Sequence, residues 1–114
     1  MTFIEAIAKM EGFGASPKNI PTRNNNPGDI VAGKFTAAHG ATGADGRFAV
    51  FPDAETGFDA LRALLVGHYA GSTVREAINR YAPPIENDTD HYVNIVCKLS
   101  GLTPETVLTQ ENIG

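Results

Sequence analysis

The chain has 114 residues, 42% of them apolar and 19% charged, with a formal net charge of -4, which is enough for one hydrophobic core and too little for two. No window gathers the Lys or Arg cluster that a phosphate-tracking surface requires, so the composition argues against nucleic acid as a partner. No stretch approaches the roughly 20 consecutive apolar residues of a bilayer span, and no basic region followed by an unbroken apolar run opens the chain, so the expectation is a soluble protein made without a secretory signal peptide.

Thr2 and Glu5 stand at capping-box spacing and Ile4, Ile7 and Ala8 form an apolar face, which predicts a first helix from about Phe3 to about Glu11. Continued by two turns from Ile4, that face reaches Glu11, so its carboxylate leaves the helix on the side the apolar residues bury. Gly12, Phe13 and Gly14 then stop the helix. From Ala15 to Gly46 the chain is rich in Gly, Asn and Pro and shows little helical period, which predicts a long ordered loop with short strands at most. The stretch Arg47–Phe51 reads as a strand closing that loop, and a small β-hairpin would then cover one side of a cleft.

Asp53 is placed to cap a second helix running to about Ala70, with Phe58, Leu61 and Leu65 on its packing face. Thr73 and Glu76 repeat the capping-box spacing before Val74, Ala77, Ile78 and Tyr81, and Pro83 and Pro84 end that third helix. Asn87 or Asp88 caps a fourth, bearing Tyr92, Val93, Val96 and Leu99 and stopped by Gly101; Thr103 and Pro104 open a short last one. The expected fold is mainly α, one domain over residues 1–114, with a long loop and a small hairpin.

Among side chains that can do chemistry, Glu11 stands out. A carboxyl group on an apolar face resists ionisation and keeps a proton available to a glycosidic oxygen. The structural alternative is a carboxylate that pairs with a cation such as Arg23 or caps a loop amide. The run Arg23-Asn24-Asn25-Asn26-Pro27-Gly28 concentrates amides that donate and accept at once, as sugar hydroxyls and acetamido groups require. Asn24 and Pro27 suit turn chemistry, while Asn25 and Asn26 suit ligand contact. Tyr81, Glu86 and Asn87 share the connection between the third and fourth helices and would form an opposite wall, with Asp88 a helix cap. Cys97 lies among Val93, Ile95, Val96 and Leu99 and reads as a small buried hydrophobe. His39, His68 and His91 form no zinc motif, and neither a serine-nucleophile turn nor a phosphate loop is present, so no metal or cofactor is expected.

Taken together, Glu11-Gly12-Phe13, Arg23-Asn24-Asn25-Asn26-Pro27-Gly28-Asp29-Ile30, Phe48-Ala49-Val50-Phe51, Tyr81-Ala82-Pro83-Pro84 and Glu86-Asn87-Asp88-Thr89 with Tyr92 resemble the small lysozyme-like, lytic-transglycosylase-related proteins of bacteriophages and prophages. The resemblance runs from about Ile4 to about Leu108, with Gly12 where the wider family usually has serine and Asp29 where the phage-type turn has Asn. It implies a lysozyme-like fold of α+β type, cleavage between N-acetylmuramic acid and N-acetylglucosamine in peptidoglycan, Glu11 as catalytic acid and base, and Tyr92 as a second site residue. Lytic transglycosylation needs only Glu11; muramidase hydrolysis calls for a second carboxylate at roughly 5–10 Å, for which Glu86, Asp88 and Asp29 are the candidates. The partner implied is the glycan strand of the cell wall, reached through a holin pore, in a virion, or as a delivered toxin countered by an immunity protein. A phage structural or glycan-binding module without turnover is the competing reading.

Overall fold

Thr2 and Glu5 form the expected reciprocal cap, the Glu5 carboxylate accepting the Thr2 N–H at 2.8 Å and the Thr2 hydroxyl accepting the Glu5 N–H at 3.2 Å, and α1 (Phe3–Met10) follows directly. The computed structural model covers residues 1–114 and is mainly α-helical, with seven helices and one two-stranded antiparallel sheet. No helix is long and apolar enough to cross a membrane. Contacts group into two compact units, Ile7–Ala63 and Met1–Ala6 with Leu64–Gly114.

In the unit Ile7–Ala63 the segment expected to be loop contains α2 (Ile20–Arg23), α3 (Lys34–Ala38) and β1 (Gly43–Asp45), which pairs with β2 (Phe48–Val50). Both helices are about a single turn, too short to show a period, and local hydrogen bonds define them. Asn19 caps α2 by accepting the Thr22 N–H at 3.1 Å. The Thr36 hydroxyl accepts the Gly33 N–H at 3.0 Å at the start of α3. Beyond β2 the chain enters α4 (Ala54–Tyr69), and the Asp53 carboxylate accepts the Thr56 N–H at 2.8 Å, as its capping position predicts.

The far side of β2 is occupied as well. Ala49 donates to the Ile30 carbonyl at 3.0 Å, Ala32 donates to the Arg47 carbonyl at 2.8 Å, and Val31 bridges Phe48. Residues 30–32 therefore run along β2 opposite β1, and the hairpin has no open edge on that side. Ala49, Phe51 and Ala60 of α4 form a buried cluster beneath it, with Ala32 and Ala41 against them.

The other unit holds α5 (Val74–Tyr81), α6 (Thr89–Ser100) and α7 (Gln110–Ile113) with the rest of α4. Thr73 and Glu76 cap α5 reciprocally at 3.1 and 2.8 Å. Asp88 caps α6 through the His91 N–H at 3.2 Å, and Gly101, at φ 78°, ends it. Leu65, Val74, Ile78, Val93, Val96 and Leu108 are buried here.

One expected element moves. Thr103 and Pro104 open a turn, closed by the Thr106 N–H on the Thr103 carbonyl at 3.1 Å, and not a helix. The chain that follows is drawn into antiparallel pairing with the α4–α5 connection: Val74 donates to Thr106 at 3.0 Å, and Leu108 exchanges bonds with Ser72 and Gly71 at 2.8 Å each. The last helix starts only at Gln110, capped by Thr109 and Asn112.

Candidate active site

Glu11 follows the last residue of α1 and still donates its N–H to the Ile7 carbonyl at 3.0 Å. Gly12 donates to Lys9 at 3.1 Å, Phe13 donates to Ala8 at 3.0 Å, and Gly12 sits at φ 93°. These paired bonds around a left-handed glycine are a Schellman ending, which fixes the backbone on both sides of Glu11. The helix therefore ends one residue before Glu11 and the carboxylate projects from its cap; the residue is half-buried. The Phe13 ring meets the Phe58 ring of α4 edge-on at 5.3 Å.

Arg23, the cation considered for Glu11, is engaged by Asp45 on β1, donating from Nε at 2.8 Å and Nη2 at 2.6 Å. That guanidinium holds the Asp45 carboxyl below its ordinary range. Both partners are well exposed, so the pair adds little stability.

The amide run divides by burial. Asn24 accepts the Phe51 N–H at 2.9 Å on its main-chain carbonyl, and Asn25 donates from Nδ2 to the Phe51 carbonyl at 3.2 Å, so the two bracket the end of β2. Asn25 is half-buried in the left-handed region at φ 52°, a conformation Asn tolerates better than most residues. Asn26 is 0% exposed; its Nδ2 donates to the Ile30 and Ala49 carbonyls at 2.9 Å each and its Oδ1 accepts the Ile30 N–H at 2.9 Å. Asn26, expected from the sequence to suit ligand contact, is wholly buried, and its amide ties residues 26–30 to β2. Asn26→Ala should lower unfolding free energy by about 2–3 kcal/mol in urea denaturation, because it strands buried backbone groups, and Asn26→Asp, which keeps the acceptor only, should fall nearly as far.

Asp29 also adopts φ 52°. Burial pushes its carboxyl up, with the Arg47 guanidinium opposing, and its Oδ1 is buried without a hydrogen bond. The folded state thus holds this proton more tightly than the unfolded chain. Its contribution to stability is full at acid pH and is lost as pH rises through the folded-state value. Asp29→Asn should therefore raise the melting temperature by a few degrees near about pH 7 and leave it unchanged near about pH 3, measured by thermal melts at both.

Tyr81, Glu86, Asn87 and Tyr92 belong to the unit with Leu64–Gly114. Tyr81 is half-buried at the end of α5, its ring edge-on to Tyr69 at 6.3 Å, and the Arg80 guanidinium covers Tyr69 at 5.2 Å. Glu86 and Asn87 are exposed, and Asn87 closes its turn by donating from Nδ2 to the Pro83 carbonyl at 3.3 Å. Tyr92, the second site residue the resemblance implies, is 5% exposed on the packed face of α6. Cys97 is half-buried, and burial pushes its thiol up, the direction opposite to that of a nucleophile.

Two residues absent from the sequence expectations matter at the end of α1. Asn19 Nδ2 donates to the Gly12 carbonyl at 2.7 Å and the Thr22 hydroxyl accepts the Gly14 N–H at 2.8 Å. An Asn followed by Pro two residues on is a helix-start signature, and it was the available signal for α2. A comparison with protein-family models and with curated proteins finds no match for this chain.

Proposed function

We propose that this chain is a peptidoglycan-cleaving enzyme of lysozyme-like fold, with Glu11 as its general acid and base. The observation that carries the reading is a half-buried glutamate on a helix ending where cap hydrogen bonds and a left-handed glycine fix the backbone around it. A general acid must be held within hydrogen-bond reach of the oxygen it protonates, and a carboxylate on a fixed cap meets that demand better than one on a free loop.

In the transglycosylase route Glu11 donates its proton to the bridging oxygen as the bond from that oxygen to muramyl C1 breaks. The resulting carboxylate takes the proton of the muramyl 6-hydroxyl, whose oxygen closes on C1 to give a 1,6-anhydro ring. One proton leaves Glu11 and one returns. Mass spectrometry of muropeptides released from purified peptidoglycan tests this: 1,6-anhydro products that vanish in Glu11→Gln support it, and reducing ends identify a hydrolase acting through the same acid. Glycan binding without release by the wild-type protein would overturn the enzymatic reading in favour of a binding module.

A further inference from the structure

The turn behind Glu11 is gripped by a second element. Asn19 uses both ends of its amide: Oδ1 accepts the Thr22 N–H at 3.1 Å and so caps α2, while Nδ2 donates to the Gly12 carbonyl at 2.7 Å. The Thr22 hydroxyl accepts the Gly14 N–H at 2.8 Å. These two bonds hold the peptide groups on either side of Phe13, the first of which the Schellman ending also holds through the Phe13 N–H. Gly12 and Gly14 have φ of 93° and 83°, and the Gly12 carbonyl that Asn19 grips also accepts the Ala15 N–H at 3.1 Å within the turn, so Asn19 adds an outside bond to a turn that closes on itself. Asn19 Nδ2 would lie only 3.3 Å from a Cβ added at Gly12, so the side chain that caps α2 sits directly on the turn.

We propose that Asn19 is a positioning residue for Glu11, acting through its side-chain bond to the Gly12 carbonyl, with Thr22 as the second half of the same clamp. The proposal rests on the reading of Glu11 as the general acid. The bland role, capping α2, uses only Oδ1, so the two roles separate by substitution. Asn19→Ser keeps a capping oxygen for the Thr22 N–H and is too short to reach Gly12.

The test measures muropeptide release for the wild type, Asn19→Ser, Glu11→Gln and the double variant. Asn19→Ser should lower kcat on the order of 10–100-fold with KM and melting temperature near wild type, the scale expected when a catalytic group is displaced by about 1 Å. In the Glu11→Gln background it should change the residual rate no further, because there is no carboxyl proton left to position. An unchanged kcat in Asn19→Ser, or the same fractional loss in both backgrounds, would overturn the proposal. Should Asn19→Ser melt early, Thr22→Val reads the other half of the clamp by the same kcat and KM split. A wild type that releases nothing removes the reading of Glu11, and this proposal with it; a wild type that cleaves beside an indifferent Asn19→Ser removes this proposal alone.

Discussion

On the proposed function, Glu11→Gln is expected to lower muropeptide release by about 10²–10⁴-fold, the range general acid–base catalysis supplies. The amide matches the carboxyl in size but neither protonates the bridging oxygen nor takes the 6-hydroxyl proton, so both halves of the transglycosylase route fail together. The backbone at this position is set by main-chain bonds to Ile7, Lys9 and Ala8 and by the φ of 93° at Gly12. None of these involves the side-chain atom that changes, so the helix ending is expected to persist in the variant, and with it the glycan binding that the proposed function requires. Initial rates on purified peptidoglycan, with circular dichroism melts on the same samples, check both halves. A Glu11→Gln variant that cleaves at the wild-type rate would remove Glu11 from the chemistry.

Gly57→Ala is expected to destabilise the protein by more than about 4 kcal/mol, a loss of the exceptional size that overpacking against buried backbone can produce. Helix propensity alone predicts the opposite sign, since alanine is favoured over glycine inside a helix by about 1 kcal/mol. Gly57 lies in the first turns of α4 and is buried. A Cβ there would fall 1.9 Å from the Asn25 carbonyl oxygen and 2.8 Å from Pro27 Cδ, deep inside contact distance. The oxygen belongs to a backbone already committed at φ 52°, and Asn26, next in the chain, is tied into β2 by its own amide, so the turn has no room to retreat. Denaturant titration followed by far-UV circular dichroism measures the loss; a midpoint at or above that of the wild type would mean that α4 does not rest on the Asn25–Pro27 backbone.

Where a helix advertises its start, the sequence is legible. The Thr2/Glu5 and Thr73/Glu76 pairs, and Asp53 and Asp88, cap where their spacing says they do, because an N-cap acts within three residues and needs no tertiary information. Single turns are another matter: α2 and α3 carry no period, and only Asn19 with Pro21 marks one of them. Thr103-Pro104 looks like a helix start but loses to pairing with Ser72 and Val74, some thirty positions away, which local chemistry cannot report. The candidate site is legible to a similar depth. The place of Glu11 at the close of α1 follows from periodicity plus the glycine stop. Asn25 and Asn26 are chemically identical neighbours, and only the fold decides that one is half-buried and the other sealed beneath β2. The cap role of Asn19 is legible from Pro21, but its second bond is not, because it reaches back seven residues to Gly12.

The aromatic residues are unevenly placed. The chain has no tryptophan, and its three tyrosines, Tyr69, Tyr81 and Tyr92, all lie within Leu64–Gly114, whereas Phe13, Phe35, Phe48, Phe51 and Phe58 lie within Ile7–Ala63. Tyrosine emission is therefore an intrinsic optical reporter of the helical unit, blind to the one that carries Glu11. A fluorine label on phenylalanine reports chiefly on the unit with Glu11, since Phe3 alone lies outside it. Two spectroscopic channels, obtained without adding a single residue, can follow the two halves of one chain separately as denaturant or glycan is added.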